Sequence, residues 1–192
     1  MTHESLLSGL MTESFALQAM GARVRTEVAV DQKPAARKWI KSQRDGHFCH
    51  LFRSFQEAIH GEGVCEKHGR RCRLPIGPDL ATAGLPCQPF SQLRSHQDNH
   101  PAQDHVLFDV TFVDFISYLN LRKPKGFVCE QVVTFNRLNP KTNNTFLVEF
   151  GSAATNLGYL FRAVALDARD WGESERPRFH GARKGEALMD CN

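Results

Sequence analysis

The amino-acid sequence predicts an α/β fold with a mostly parallel β-sheet and helices on both faces of the sheet. Short apolar strands alternate with helical segments from the N-terminus onward, and Gly, Pro and Asp residues separate them. Hydrophobic residues make up 41% and charged residues 23% of the chain, a balance typical of a globular protein. With 192 residues the chain is long enough for one sizeable core, so we expect a single domain over residues 1–192.

The first elements are predicted to form a strand-helix-strand-helix unit. A short apolar strand at residues 6–7 ends in a small-residue turn, and a helix follows. A second strand at residues 26–30 ends at Asp31, and Pro34 opens the next helix. Ligands of parallel sheets bind at the carboxyl ends of the strands. We therefore expect the loops after these two strands to lie near one site.

The later segments continue the alternation, apart from one region. Residues 60–78 are rich in Gly, Pro, Cys, His and Arg and show neither a helical nor a strand period, which indicates an irregular loop or insertion. The remaining predicted strands lie at residues 79–83, 126–133 and 159–168, and the remaining predicted helices at residues 107–121 and 146–158. A turn-rich loop is predicted at residues 84–101.

Charge and cysteine content narrow the cellular setting. The net charge of +3, with nine histidines, is compatible with a polyanionic partner but does not identify one. No apolar stretch is long enough to span a bilayer and the N-terminal segment lacks the features of a secretory signal, so we expect an intracellular protein without a membrane partner. In a reducing compartment the six cysteines are expected to be thiols, ligands or a nucleophile.

One loop carries a candidate nucleophile, Cys87, within the segment GLPCQPFS at residues 84–91. A lone Pro-Cys pair would be interpreted as an incidental thiol between two turn-forming prolines. The whole segment, however, resembles the nucleophile loop of the cytosine-5 DNA methyltransferases. This resemblance implies that the thiolate of Cys87 adds to carbon 6 of cytosine, which enables carbon 5 to attack a sulfonium methyl group.

A second motif, FVCEQV at residues 127–132, resembles the Glu-Asn-Val motif of this family, with Gln131 in place of Asn. The resemblance implies that the carboxyl group of Glu130 contacts the flipped cytosine and assists its protonation. In isolation, Glu130 would be interpreted as an ordinary charged residue at a strand end. Its position after Cys87, in the family's order, favours the catalytic role.

A third motif, RPRF at residues 176–179, follows a strand and a Trp-Gly turn and resembles the family's Arg-x-Arg element. The resemblance implies that Arg176 and Arg178 bind the cytosine carbonyl and a nearby phosphate, because guanidinium groups present a fixed fork of donors. The structural alternative is a solvated basic turn.

The N-terminal turn resembles the family's first cofactor motif, with Ser5 at the position of an acidic residue and Met11 at that of a glycine. The second strand resembles the next motif, in which Asp31 supplies a carboxylate for ribose hydroxyls and Ala29 replaces a Glu. On the residues alone, an ordinary strand, turn and helix with a cap at Asp31 is also possible. The resemblance implies S-adenosylmethionine as cofactor, with contacts from Leu7, Ser8, Gly9, Met11, Thr12, Asp31, Gln32, Gly84 and Pro86.

No residue is assigned as a metal ligand. Cys65, His68 and Cys72, with His60 and the adjacent pair at residues 49–50, offer enough soft ligands for a tetrahedral zinc ion, but their spacing fits no familiar zinc finger. We therefore favour a basic loop near DNA with incidental thiols.

The motifs follow the family's order along nearly the whole chain, which implies a Rossmann-like methyltransferase fold that is incomplete at the C-terminus, without the target-recognition region and final helix. The implied function is methylation of cytosine carbon 5 in DNA. The alternatives are methylation of RNA, as in the tRNA-modifying branch, and a catalytically silent protein that binds nucleic acid. We expect the isolated chain to bind cofactor weakly, a partner protein to supply target recognition, and a nuclear location if the source is eukaryotic.

Overall fold

The structure is a computed structural model that describes residues 1–43, 48–91 and 102–166 in full and residues 178–183 by their backbone. Within these residues, no helix combines the length and apolar character needed to cross a lipid bilayer.

The chain forms two compact units. Unit 1 comprises Met1–Gly84 and Ser117–Phe127, and unit 2 comprises Leu85–Ile116 and Val128–Asn192. Of the residues with implied cofactor contacts, all except Pro86 belong to unit 1. The four candidate catalytic residues belong to unit 2.

Unit 1 is built on parallel strands with helices between them, which confirms the predicted α/β fold. In chain order its elements are β1 (Thr2–Leu6), α1 (Thr12–Ala19), β2 (Arg25–Val30), α2 (Pro34–Ser42), β3 (Phe48–Phe52), α3 (Phe55–His60), β4 (Glu62–Cys65), β5 (Arg70–Arg73) and β6 (Leu80–Gly84). Strand β1 pairs in parallel with β2 and with β6, and β2 pairs in parallel with β3. Helix α4 (Phe115–Arg122) and strand β7 (Gly126–Val132) contribute residues to both units.

The register of unit 1 aligns the carboxyl ends of its parallel strands. Leu6 at the end of β1 faces Val30 of β2 and Ala83 of β6, and Val30 faces Phe52 of β3. The loops that follow these strands therefore leave the sheet at one edge, as the alternation of elements predicts.

The prediction of an irregular loop at residues 60–78 needs correction, because β4 and β5 form an antiparallel hairpin there. Each strand has only four residues, and all of β5 except the half-buried Cys72 is exposed arginine. Such a strand has no alternation of apolar and polar residues, so the sequence pattern does not reveal it.

Helix α3, which the sequence analysis does not predict, begins at a capping box. The Ser54 side chain accepts a hydrogen bond from a backbone N–H of the first turn, and the Glu57 carboxylate accepts one from the Ser54 N–H at 3.1 Å. The helix ends at Gly61, whose left-handed φ of 69° is favourable only for glycine. The six-residue helix is too short for its period to stand out in the sequence.

A buried ion pair crosses the interior of unit 1. Arg122 donates to Glu4 Oε1 over 2.6 Å, and the Tyr118 hydroxyl donates to Glu4 Oε2 over 2.6 Å. Burial raises the pKa of Glu4, and the charge of Arg122 opposes that rise. Removing either partner would leave a buried charge unpaired, so the pair fixes α4 against β1.

Unit 2 has an aromatic core. Its further elements are short 3-10 helices at Ala102–Asp104 and Val133–Asn136, a π-helical turn at Val110–Asp114, α5 (Phe146–Asn156), β8 (Leu160–Leu166) and β9 (Arg178–Arg183). The larger sheet has the strand order β3-β2-β1-β6-β7-β9-β8, and β8 and β9 are antiparallel. The helix predicted at residues 107–121 is regular only in α4, because a π-helical turn precedes it.

Candidate functional site

Cys87 lies in a tight turn of unit 2 that follows the end of β6. The Phe90 N–H donates to the Cys87 carbonyl over 3.0 Å, which closes the turn, and prolines 86 and 89 restrict the backbone on both sides of it. Leu85 is buried, whereas Cys87 is half-buried. Cys87 therefore belongs to an anchored segment and remains partly exposed.

Two side chains hold the beginning of this loop through the Pro86 carbonyl. Gln131 Nε2 donates to it over 3.0 Å, and Thr111 Oγ1 donates over 3.2 Å. Both donors are buried, so these hydrogen bonds are shielded from competing water. Gln131 thus connects the Cys87 loop to the strand that carries Glu130.

The end of the loop is held through Phe90. Its ring is 1% exposed and packs edge-on against Phe135, with 4.7 Å between ring centroids, and against Phe146 at 5.2 Å. Its carbonyl accepts hydrogen bonds from Thr134 Oγ1 and from Arg137 Nη2, the latter over 3.1 Å. The sequence analysis does not identify Thr134 or Arg137, because no local pattern distinguishes them.

Glu130 and Cys129 lie side by side on β7 but differ in environment. Burial raises the pKa of the Cys129 thiol to about 12, and the neighbouring Glu130 charge adds to the rise. Cys129 is therefore protonated at neutral pH and is a poor nucleophile. Successive residues of a strand face opposite sides, so the partly exposed Glu130 side chain points away from the face of Cys129 and Gln131.

The two candidate arginines lie at the edge of the described residues or beyond it. Arg176 lies outside the described residues, as does the preceding turn at residues 167–172. Arg178 begins β9, where its backbone pairs with Leu166 of β8. Their roles stay predictions.

In unit 1, Ser8 fixes the turn after β1 to the end of β2. The Ser8 N–H donates to the Val30 carbonyl over 2.8 Å, and the Ser8 hydroxyl accepts from the Val30 N–H over 2.9 Å. The same hydroxyl lies 2.8 Å from the Ser5 carbonyl, to which it donates. A small residue with one hydroxyl therefore satisfies three backbone groups in a buried turn.

Asp31 connects the two predicted cofactor loops. Its Oδ2 accepts from the Gly9 N–H over 2.8 Å, and its Oδ1 accepts from the Lys33 N–H over 2.7 Å. Each carboxylate oxygen retains acceptor capacity, because it uses one of its lone pairs. The structure thus brings Gly9 and Asp31 into contact, while Thr12 and Gln32 are exposed beside them.

Met11 has a backbone conformation that is more usual for glycine. Its φ of 55° and ψ of 33° lie in the left-handed region, which costs a non-glycine residue about 1–2 kcal/mol. Its side chain is 3% exposed and packs in a core cluster with Ala29, Ile40, Phe48 and Leu51. Core packing offsets the strain, and the side chain is directed into the core.

Glu13 is a candidate residue that the sequence analysis misses. The Ser5 hydroxyl donates to its Oε1, so α1 supplies a carboxyl group beside the position at which the family has an acidic residue. Burial raises the pKa of Glu13, although its hydrogen bond to Ser5 opposes the rise. No local pattern distinguishes Glu13 from other acidic residues in the first turn of a helix. Its contact with Ser5 depends on how the turn before α1 folds.

Gly84 ends β6 beside the turn of β1. A Cβ at Gly84 would lie 3.6 Å from the Leu7 carbonyl, which is an ordinary contact distance. A Cβ at Gly9 would meet no atom of the described residues within 4 Å, and Gly9 has a left-handed φ of 52°. Gly9 therefore borders open space, and its backbone has a conformation that other residues rarely adopt.

The chain is similar to a known protein family and to several curated relatives. Residues 1–185 match the model of the C-5 cytosine-specific DNA methylase family. The curated relatives include DNA (cytosine-5)-methyltransferase 3 of Arabidopsis thaliana, 31% identical over 102 residues, which are 53% of this chain and 7% of that protein. Type II methyltransferase M.BsuFI of Bacillus subtilis is 31% identical over 98 residues, 51% of this chain and 22% of that protein.

Solved structures with the same fold include the Dnmt2 methyltransferase of S. pombe, with a TM-score of 0.62, 17% identity and alignment of 98% of this chain with 51% of that one. A mutant DNMT2 of Spodoptera frugiperda gives a TM-score of 0.60 at 17% identity, covering 97% of this chain and 51% of the other. The chain thus spans about half the length of these structures and a smaller share of the curated relatives.

Proposed function

From the premise that this chain belongs to the C-5 cytosine-specific DNA methylase family, we propose that it transfers a methyl group from S-adenosylmethionine to carbon 5 of cytosine in DNA. Cys87 is the covalent nucleophile of the proposed reaction. The observation that carries the proposal is the hydrogen bond from Gln131 to the Pro86 carbonyl. It fixes the backbone next to Cys87 to the residue next to Glu130, so one contact connects the two segments that carry the predicted catalytic groups.

The chemistry assigns a separate task to each group. The Cys87 thiolate forms a bond to carbon 6 of the cytosine, which moves the ring electrons towards carbon 5. The Glu130 carboxyl group contacts ring nitrogen 3 and the exocyclic amine and favours protonation of the ring as the thiolate adds. After carbon 5 has taken the methyl group and lost its proton, the bond between Cys87 and carbon 6 breaks and the thiolate is regenerated.

Bound S-adenosylmethionine would supply an electrophilic methyl group on a sulfonium centre. The residues of unit 1 fit this cofactor: Asp31 retains acceptor capacity for ribose hydroxyls, and Gly9 borders open space. Glu13 is proposed as a further polar contact on the same turn. The Met11 side chain is buried in the core and does not cover the turn. A methionine in place of glycine at this position therefore leaves the surface of the turn accessible to the cofactor.

Cytosine must leave the base stack before Cys87 can reach its carbon 6, so the proposed reaction includes base flipping. Arg176 and Arg178 are proposed to bind the flipped base and a neighbouring phosphate. A partner protein or further protein sequence is proposed to select the target site. A DNA substrate would place the protein inside the cell, and in the nucleus of a eukaryote.

A covalent trap tests the proposal. The purified chain is incubated with S-adenosylmethionine and a pool of random-sequence DNA duplexes that contain 5-fluorocytosine, whose fluorine cannot leave carbon 5 as a proton does. We expect a denaturant-stable adduct with DNA that Cys87→Ser abolishes. Cys129→Ala, which changes the inert thiol beside Glu130, should still form the adduct.

The trap also separates the alternatives. An adduct with 5-fluorocytosine RNA and none with DNA would transfer the proposal from DNA to RNA. Absence of an adduct with either nucleic acid, in protein that is folded and binds S-adenosylmethionine, would overturn the catalytic proposal and favour a silent nucleic-acid-binding protein.

A further inference from the structure

Two histidines and two cysteines of unit 1 come together, although the sequence analysis assigns no metal ligand. We call them the His-Cys cluster: His50 on β3, Cys65 at the end of β4, His68 in the hairpin turn and Cys72 on β5. One possible ligand atom from each residue lies within 4.8 Å of each of the others. The cluster therefore joins the hairpin to the edge strand of the larger sheet.

The spacing suits a tetrahedral zinc ion. With zinc-sulfur bonds of about 2.3 Å and zinc-nitrogen bonds of about 2.0 Å, neighbouring ligand atoms lie about 3.3–3.8 Å apart. The Cys72 sulfur is already 3.4 Å from His68 Nδ1. Side-chain rotations that bring the widest separation in by about 1 Å would complete the coordination shell.

His50 provides independent evidence for a ligand. Its Nδ1 is buried and has no hydrogen-bond partner among the described residues. The imidazole lies edge-on to that of His68, with 5.0 Å between ring centroids. A buried, unsatisfied nitrogen destabilises a protein, and a zinc ion that coordinates this nitrogen would remove that cost.

The surroundings of Cys65 suit a thiolate ligand. Its side chain is fully buried, and the backbone N–H of Leu51 points at its sulfur over 3.4 Å. An N–H directed at sulfur stabilises the negative charge that a coordinating thiolate carries. Leu51 also accepts a backbone hydrogen bond from Glu66 over 2.9 Å, so β3 and the hairpin are already held in position.

Charge and competition also favour zinc. Two thiolates neutralise the double charge of the ion and two neutral imidazoles complete the shell, so the bound centre carries no net charge. The nearby carboxylate of Glu66 is engaged by Arg37 at 2.9 Å, Lys41 at 2.8 Å and Arg53 at 2.7 Å. Because this carboxylate is already paired with three basic side chains, the donors left for a metal ion are the nitrogen and sulfur atoms of the His-Cys cluster, which suit zinc.

We infer that His50, Cys65, His68 and Cys72 bind one zinc ion. Because four protein ligands would close the coordination shell, the site is structural and not catalytic. The ion fastens the hairpin of β4 and β5 to β3. Hairpins of two short strands are marginally stable by themselves, which gives the ion a physical role. This inference does not depend on the proposed methyl transfer.

Metal analysis of the purified chain, prepared without chelator or added metal, tests the inference. We expect about one zinc per chain, and about one cobalt per chain with the visible absorption of a tetrahedral thiolate complex after exchange. His68→Ala and Cys72→Ser should weaken zinc binding by at least about 10- to 100-fold, the loss that removal of an outer-shell partner alone produces. Cys49→Ser, which changes the cysteine beside His50 but outside the cluster, should retain the metal.

Removal of zinc with a chelator should lower Tm for the unaltered chain and for Cys49→Ser, and should lower the Tm of Cys72→Ser by less. Since His68 is exposed and Cys72 is half-buried, their variants should fold even if changes at Cys65 do not. The inference is overturned if the folded chain neither contains zinc nor takes up zinc or cobalt. It is also overturned if His68→Ala and Cys72→Ser hold zinc as tightly as Cys49→Ser does, or if thiol titration finds Cys65 and Cys72 joined in a disulfide.

Discussion

The Cys87 loop of unit 2 and the Gly9 turn of unit 1 both follow parallel strands, yet they are held in different ways. The Cys87 loop depends on side chains far away in the sequence, above all Gln131, which reaches across 45 residues to the Pro86 carbonyl. The Gly9 turn is fixed by Ser8 and Asp31, which belong to the first two parallel strands and their loops. Changes in the first region should therefore alter reaction rate, and changes in the second should alter cofactor affinity and stability.

The largest expected effect concerns the acid sensitivity of β1, the strand that precedes the Gly9 turn. His3 is fully buried in β1, with Nδ1 3.1 Å from Thr26 Oγ1 and Nε2 2.8 Å from Thr82 Oγ1, and burial lowers its pKa to about 4. The unfolded chain takes up a proton near pH 6.5, the folded chain only near pH 4. The resulting stability is fully present above about pH 6.5 and is lost as the pH falls towards 4, by about 3 kcal/mol in total.

Denaturant unfolding at a series of pH values, compared with His3→Gln, measures this effect. The difference between the two proteins in the free energy of unfolding should change with pH between about 6.5 and 4 and stay constant above that range. A constant difference across the whole range would show that His3 does not titrate as its burial requires.

The next effect concerns the Cys87 loop. Gln131→Met keeps the length of the side chain but removes the amide that holds the Pro86 carbonyl. Because a displacement of about 1 Å can cost about 100-fold in rate, we expect adduct formation with the 5-fluorocytosine trap to slow by about that factor at saturating cofactor, with little change in cofactor affinity.

Gln131→Asn, which restores the family's residue, should recover part of the rate. Gln56→Met removes an exposed amide from α3 and serves as a control that should leave the rate unchanged. Equal rates for Gln131→Met and Gln56→Met would contradict a positioning role for Gln131.

A smaller effect is expected at the Gly9 turn. Asp31→Ala removes the acceptor for two backbone N–H groups and the proposed partner of the ribose. Hydrogen bonds to a charged group contribute about 1.5–3 kcal/mol, so S-adenosylmethionine should bind about 10- to 100-fold more weakly. Isothermal titration measures the affinity, with Asp109→Ala, an exposed carboxylate of unit 2, as the matched control.

In the same Asp31→Ala variant, adduct formation at saturating cofactor should stay within a few-fold of the unaltered chain. A large loss of rate without loss of cofactor affinity would contradict the expectation that the Gly9 turn governs affinity and the Cys87 loop governs rate.

Much of the fold follows from local pattern. The strands at β2, β6 and β7 and the helices at α1, α2 and α5 lie where apolar periodicity and turn residues predict them. Strand β1 shares only Leu6 with the strand predicted at residues 6–7, because its other residues include the buried polar His3, Glu4 and Ser5. The hairpin of β4 and β5 was not predictable, because its second strand is mostly exposed arginine. Helix α3 was not predictable either, because one and a half turns carry too few apolar positions to define a period.

By itself, the sequence determined the order of motifs, the identity of Cys87 and Glu130 as candidates, and the alternation that produces a parallel sheet. These depend on residues that are close together in the chain or on resemblance to a family. The tertiary structure alone decided that Gln131 holds the Cys87 loop, that Glu13 lies beside Ser5 and that His50 joins the ligands of the hairpin. Such contacts depend on strand register and side-chain direction between segments distant in sequence, and no local pattern encodes them.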